Sequence, residues 1–537
     1  SEMCIRDSIH GNALVDAAGN SNSINGLLVR VRTPAGNTLR KLTVPARFDD
    51  RDIVHVLNEN LVIDGTPGGP IEYTTKPSLA LTTVSRLVGG GLASFTQGNY
   101  NYKMTFVDAS GNEALASNAS TTVAIQTGDR IRLANLPAAP AGFTQRRLYR
   151  SDATGGGNYS LVAQLNGTDT SYTDNGTTAA AVLVSAGNSI LRPRLDARLA
   201  IDPAIMVKMS GASISTGMGG QLIAEAQDGL EAVFTSLADD RYGAGGTFQT
   251  RNDGQSNTTF DKAGDANAPH AGDWAGLFVG PYSSASLDNV VIAGAGGVTR
   301  VEGTFTAFNP IEIHQSEARI TNSTFEYNEN GLGGQAPAGR FGRGFNEAAS
   351  IFVRGAQPVI YGNVLQHNQG PAISINANAL NATTMSDFGR TTGGIDLIPG
   401  FLDNQGPLVR DNRLGDNAVN GMVVRGETLT TEGVWDDTDI VHVMFDSIYV
   451  YDFHTYGGLR LESSPTQSLV VKATNGGIDG LSTAEAGFVV NGRPLEIDDR
   501  IGGTLQVLGQ PGFPVVITSI ADDTVGAGLQ PDGTPQI

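Results

Sequence analysis

The sequence predicts an all-β chain, a solenoid of short strands laid coil upon coil and interrupted by one inserted β-module. Three observations predict it: a turn-rich composition, distant segments that repeat each other at unequal spacing, and a shorter repeat nested inside the longer one. Of 537 residues, 69 are Gly and only 17% are charged. Gly and Asn tolerate the left-handed backbone that tight turns require. Val, Ile and Leu are too plentiful for a disordered tail.

Charge and apolar patterning exclude several functions. With 54 acidic against 35 basic residues the net charge is −19, which repels a nucleic-acid backbone, and no Lys/Arg cluster offsets it locally. No run approaches the roughly 20 apolar residues of a membrane helix; stretches such as "GFPVVITSI" are of strand length. The single cysteine, Cys4, rules out an internal disulfide. It lies in "SEMCIRDS" (residues 1–8), which resembles a translated sequencing adapter and is set aside.

Residues 9–85 are expected to hold the first coils. "DDRDIVHVLNENLVI" from Asp49 is answered by "DDTDIVHVMFDSIYV" from Asp436, 387 positions later. "VFTSLADDRYGAG" from Val233 is answered by "VITSIADDTVGAG" from Val516, 283 positions later. The first copy therefore carries 104 more residues between these landmarks than the second, the size of a small domain. A third pair, "NSINGLLVRV" from Asn22 and "NAVNGMVVRG" from Asn417, extends both copies upstream in the same order. The second copy stops at Ile537 where the first runs on, so the chain is expected to be a fragment at both ends.

The surplus falls at about residues 86–189. There "GNYNYKMTFVDASGNEA" alternates Tyr100, Tyr102, Met104 and Phe106 with polar neighbours, the pattern of a half-buried strand entering a hairpin. "TQRRLYRSDATGGGNYSLVAQLNGTDTSYTDN" supplies further strands, with Leu148, Tyr159, Leu161 and Tyr172 as core candidates. About 100 residues of such strands make one sandwich. "QRRLYR" looks exposed and is read as an edge strand kept soluble by charge, or else as a ligand patch.

Residues 190–429 and 430–537 return to coils, the latter being the second copy. Three segments repeat an apolar residue, another five later, and an Asn three after that. The triples are Ile320, Phe325, Asn328; then Ile360, Leu365, Asn368; then Val409, Leu414, Asn417. "LDNVVI" opens the same way with Leu287 and Ile292 but lacks the Asn. A helix would need apolar spacings of three and four sustained over ten or more residues. Short pieces with Asn or Gly corners suit coils stacked at about 4.8 Å, whose corner Asn residues bond up and down the stack. A β-sandwich, the competing fold, leaves the nested repeat unexplained.

"GDWAGL", "ASLDNVVI", "ARITNSTFEYNENGL" and "PVIYGNVLQHNQGPAISI" resemble rungs of right-handed parallel β-helix proteins of the pectin-lyase-like group. "SIFVRGAQPVIYGN" and "LEIDDRIGGTLQVLGQPGFPVVITSIADDTVGAG" are similar to segments of giant secreted bacterial repeat proteins built from such rungs. The insert resembles a fibronectin type III-like module. The resemblance implies a right-handed parallel β-helix with an inserted β-sandwich, in an extracellular or cell-surface setting. It carries over no activity.

Enzymes of that fold cleave acidic polysaccharides with carboxylates, often with calcium, and an Arg or Lys base. The segment that best offers those groups is "SDFGRTTGGIDLIPGFLDNQGPLVRDNRLGD", with Asp387, Arg390, Asp396, Asp403 and Arg410 as candidate catalytic residues in a long loop. The hydrolase signatures of the group (Asn-Thr-Asp, Gly-His-Gly, Arg-Ile-Lys) are absent. Asp pairs recur at strand ends: 49–50, 239–240, 436–437, 498–499 and 522–523. Of these Asp239, Asp240, Asp522 and Asp523 are the candidate Ca2+ ligands; as repeat-bound residues they equally suit turn capping. "GGIDG" from Gly476 is an incomplete calcium-turn match. His55 and His442 occupy equivalent places in "DIVHV" and read as strand residues. The expected role is a structural or adhesive segment that meets polysaccharide or extracellular matrix. A polysaccharide lyase or hydrolase and a calcium-stiffened spacer are the alternatives.

Overall fold

The computed structural model describes residues 22–31, 39–65, 67–68, 76–108, 113–177, 192–193, 197–301, 304–333, 340, 342–393, 397–451, 458–474, 485–491 and 503–536. The described residues are almost entirely β, with two three-residue 3-10 turns and long parallel sheets. Contacts divide the chain into two compact units, Pro67–Pro193 and Ser1–Thr66 with Arg194–Ile537.

In the larger unit the chain visits three parallel sheets in a fixed order. One circuit runs through Ala197–Ile201 in the first sheet, Met206–Met209 in the second and Ser213–Thr216 in the third. The next runs through Gly220–Glu225, Ala232–Ser236 and Gly276–Val279, each strand pairing in parallel with its predecessor. The order persists through Leu408–Arg410, Arg413–Gly415 and Val419–Arg425.

Because the pairing is in register, like residues fall into files. Leu287, Ile320, Ile360 and Val409 are consecutive partners in the first sheet. Ile292, Phe325, Leu365 and Leu414 are consecutive partners in the second. These are the apolar positions of the nested repeat, and with Ile311, Ile351 and Ile373 of the third sheet they form one continuous buried cluster. Alternate residues of each strand face it, which is why short apolar runs of period two suffice.

The corners follow the same logic. Asn328 Nδ2 donates to Asn368 Oδ1 at 2.9 Å, and Asn368 Nδ2 donates to Asn417 Oδ1 at 2.7 Å. Where "LDNVVI" lacks the Asn, the Ala295 amide donates to Asn328 Oδ1 instead, at 2.8 Å. A second ladder, Asn363 Nδ2 to Asn412 Oδ1 at 2.9 Å, runs three residues after the first apolar position of the second and third triples, and at that place in the first the Ser323 amide donates to Asn363 Oδ1 at 3.0 Å. Just before it Asn322, Gly362 and Asp411 share a left-handed backbone, with φ of +50°, +66° and +56°.

The long repeat is equally physical. Leu27 partners His55 in the first copy, and Met422 partners His442 in the second. Val56, Lys208 and Thr235 stack in order, as do Val443, Lys472 and Thr518. The two copies nevertheless occupy different sheets, the landmarks of the first lying in the second sheet and those of the second in the third. Val419–Arg425 explains the shift. It is the last strand reached by the preceding circuit in the third sheet and also the repeat-equivalent of Leu27–Leu28, so whatever pairs with it must continue that sheet.

The smaller unit contains two three-stranded antiparallel sheets. Phe143–Ser151 lies between Tyr102–Asp108 and Tyr159–Asn166; Arg130–Ala134 lies between Thr83–Leu87 and Ser171–Asp174. Tyr100, Tyr102, Met104 and Leu148 share its buried cluster with Phe95, Ile131 and Leu133. Tyr159 and Phe106 are also buried, while Leu161 and Tyr172 are half-buried. The start expected at residue 86 falls inside Thr83–Leu87, which pairs along its length with Arg130–Ala134.

The reading of "QRRLYR" as an exposed edge is overturned. Its strand is the central one of its sheet, and Arg146 is fully buried, donating to the carbonyls of Pro137, Asn166 and Asp169. Arg150 is paired with the buried Asp174 at 2.7 Å. Charge there marks internal carbonyls and a carboxylate needing donors.

Candidate functional site

The four candidate catalytic residues that are described, Asp387, Arg390, Asp403 and Arg410, do not meet in one constellation. Two of them strap the long loop that follows Pro371–Asn376 onto the first sheet. Asp387 accepts from Arg319 Nε at 2.7 Å and Nη2 at 3.1 Å, and from the amides of Gly389 and Ile398. Arg390 Nε donates to Asp288 at 2.6 Å, and its Nη2 to the Ala226 carbonyl at 3.1 Å. Glu225 accepts from the amides of Thr391 and Thr392. Glu225 and Asp288 are register partners, and Arg319 lies one strand further on.

Burial would lift the Asp387 carboxyl, but Arg319 and the two amides outweigh it and hold it below the usual carboxylate range. Asp403 is exposed on the same loop, and Asp396 lies outside the described residues.

Arg410 belongs to a second cluster. Its Nη2 donates to the Asp436 carbonyl at 2.6 Å, and its guanidinium lies 3.5 Å from both Asp437 Oδ1 and Asp439 Oδ1. One cation thus lies against two carboxylates, and the Asp436 carboxylate is near enough to add its charge. Burial pushes Asp436 up to about 6, with Arg410 opposing, and pushes Asp437 well above the ordinary range. His442 is buried beside them, and burial, then Arg410, lower its imidazole to about 3.

A third charged group gave no motif to read. Glu312 in Ile311–His314 is fully buried, and Arg340 and His314 hold it below its usual range against the cost of burial. Arg340 Nη1 donates to Glu312 at 2.6 Å, and His314 Nε2 lies 2.9 Å from it. Three strands on, Arg425 stacks over Phe352 and donates to Ser374 and the Val353 carbonyl. The only sequence signal was a charged residue recurring between apolar neighbours in short strands.

Of the four candidate calcium ligands, Asp239 and Asp522 cap turns. Asp239 Oδ2 accepts from Thr235 Oγ1 at 2.6 Å, and its Oδ1 accepts the Arg241 amide at 3.0 Å. Asp522 repeats this with Thr518 Oγ1 at 2.6 Å and the Thr524 amide at 3.0 Å. Those bonds, with Thr524 Oγ1, bring Asp522 down to about 2. Asp240 accepts the Asn257 amide at 2.8 Å, and Asp523 is exposed. Among the described residues no group of three or more His, Cys, Asp and Glu side chains is arranged to hold a metal ion. Asp498, Asp499 and the "GGIDG" segment lie outside the described residues.

One cleft of about 590 Å³ opens over the left-handed corner column, lined by Asn322, Tyr361, Asp411, Asp439, Gln467 and Leu529, with Gly362 in its floor. Burial, then Asp411, push the Tyr361 hydroxyl up to about 12. No family model, no curated protein and no solved structure matches this chain.

Proposed function

We propose that the chain is a non-catalytic structural or adhesive segment of a large secreted or cell-surface protein. In this reading the three parallel sheets are the faces of a right-handed parallel β-helix, and residues 86–189 belong to an inserted fibronectin type III-like sandwich. The observation that carries the reading is the fate of the loop charges. Asp387 is spent on Arg319 and Arg390 on Asp288, both in buried pairs along the first sheet. A lyase base must be free to take a proton from its substrate, whereas here the same residue types fasten a loop to a scaffold. In-register files and Asn ladders stiffen such a scaffold without disulfides.

A second reading, a polysaccharide lyase or hydrolase acting on acidic glycans, is favoured by one observation. Asp436 is raised to about 6 and Asp437 well above the ordinary range, as a general acid requires, and Asp439 of the same cluster lines the cleft. Incubation with polyuronates, followed by absorbance of unsaturated products and by reducing ends, separates the two. The structural reading expects neither signal, and turnover abolished by Asp437→Asn in a folded variant would replace it with the second.

A further inference from the structure

We infer that the cleft over the Asn322–Gly362–Asp411 column is a binding site for a neutral oligosaccharide, an inference that rests on the adhesive reading and gives its ligand a chemical class. The three residues are successive members of one corner, since Thr321, Tyr361 and Arg410, which precede them, are register partners. All three have positive φ, and the Asn322 side chain is held in place by its bond from Nδ2 to Asp288 Oδ1 at 3.0 Å. Asn322 and Asp411 fill their places in the column. Gly362 between them does not, and a Cβ there would come within 2.9 Å of Asn322 Oδ1. The missing side chain is what opens the floor.

The walls come from elsewhere in the chain. Asp439, Gln467, Gly528 and Leu529 complete the lining, with Gly528 packed against the Asp439 carbonyl. The volume, about 590 Å³, lies within the range of small-ligand pockets. The lining mixes two chemistries. Tyr361, Val364 and Leu529 offer apolar surface, while Asn322, Asp411, Asp439 and Gln467 offer carboxylate and amide groups.

A pyranose presents the same mixture, with C–H faces and a rim of hydroxyls. Carboxylates accept strongly from hydroxyls, and each oxygen has more than one acceptor position, so Asp439 can serve a ligand while it still accepts the Asp411 amide. The pair of carboxylates also sets the sign of the preference. A uronate would meet Asp411 and Asp439 at close range, and like charges repel; of the nearby cations Arg413 lines the cleft and Arg410 is already engaged with Asp437 and Asp439.

The test uses the whole chain and calorimetric titration with neutral gluco-, xylo- and manno-oligosaccharides beside oligogalacturonate. A neutral series is expected to bind and the uronate to bind more weakly. Gly362→Asn is expected to abolish binding without unfolding, because Asn already occupies the neighbouring place in the column at Asn322. Asp411→Gly, which keeps the left-handed backbone, is expected to weaken binding about tenfold, the worth of one charged hydrogen bond. Circular dichroism melts check that both variants remain folded.

Failure to bind any neutral series, tighter uronate binding, or neutral binding untouched by Gly362→Asn would each overturn the site. A glycan array separates that failure from failure of the adhesive reading. Array binding that survives Gly362→Asn leaves adhesion standing and removes the cleft, whereas an array and matrix panel blank for the unaltered chain removes both.

Discussion

Trp435 and His442 stack ring on ring, with centroids 5.1 Å apart and planes 11° from parallel. The first copy of the repeat makes the same pair from Phe48 and His55, at 4.5 Å and 17°. Both histidines sit in files otherwise apolar, above Val207 in one copy and Val471 in the other. The repeat thus conserves a stacked aromatic and a buried neutral imidazole.

That burial predicts an acid-labile fold. His442 titrates near 3 when folded against an ordinary 6.5, so below 6.5 the unfolded chain takes up a proton that the folded one refuses. The contribution is whole above 6.5 and falls by about 1.4 kcal/mol per pH unit down to the folded value. His442→Phe keeps the stack and removes the proton. Urea unfolding at pH 7 and pH 5 should show a smaller acid loss in the variant; equal losses would mean that the imidazole is not the responsible group.

Arg410 is expected to be indispensable at neutral pH. Arg410→Met leaves Asp436, Asp437 and Asp439 facing one another, and breaking a buried pair from one side costs about 3–5 kcal/mol. The raised carboxyls give this loss the opposite pH sign to that of the histidine. Asp436 binds its proton near 6 when folded, above its ordinary 3.8, so its penalty is present above 6 and is relieved as pH falls through that value. The deficit of Arg410→Met should therefore be smaller at pH 5 than at pH 7. A deficit that grows on acidification would contradict the placement of these charges.

The corner ladder is testable at Asn368. Its Nδ2 serves both the Phe325 carbonyl and Asn417 Oδ1, and its Oδ1 accepts from Asn328. Asn368→Ala strands buried partners above and below, a loss of about 2–4 kcal/mol. Asn417→Ala, at a half-buried place, should cost less. Chemical denaturation of the two variants checks the order.

Asp387→Ala should likewise register in stability. It takes from buried Arg319 the nearer of its carboxylates, leaving Asp288 at 3.6 Å, and the expected loss is about 3 kcal/mol. Proteolysis should then cut first within residues 381–407, because the strap has lost its anchor. An unchanged cleavage pattern would argue that Asp387 does not hold the loop.

Removal of calcium should have no effect. Asp239 and Asp522 spend their oxygens on Thr hydroxyls and turn amides, so EDTA is expected to leave the thermal transition where it stands. A downward shift that added Ca2+ reverses would restore the calcium-stiffened spacer.

Much of the architecture was legible because stacking turns a spatial contact into a sequence interval. Ile320, Ile360 and Val409 recur with their Phe325, Leu365 and Leu414 partners because each must fill the same inward file, and Asn328, Asn368 and Asn417 recur because each must satisfy the corner beneath it. The Asn363–Asn412 ladder carries the same signal three residues after the first apolar position. "QRRLYR" departs from the expected edge because a charged run has one appearance whether it faces water or internal carbonyls. The loop charges were legible as a set of residue types only. Asp288, which receives Arg390, lies 102 residues away in sequence, and no local pattern links the two.

By itself the sequence determined the all-β character, the register of the small repeat and the equivalence of the two long copies, since each depends on side-chain period and turn chemistry along one stretch of chain. Only the tertiary structure decided which sheet each copy joins, which charges are buried and where Gly362 opens a cleft. Those outcomes depend on which strand lies next in space, and a strand with both edges free carries no mark of the neighbour it will take.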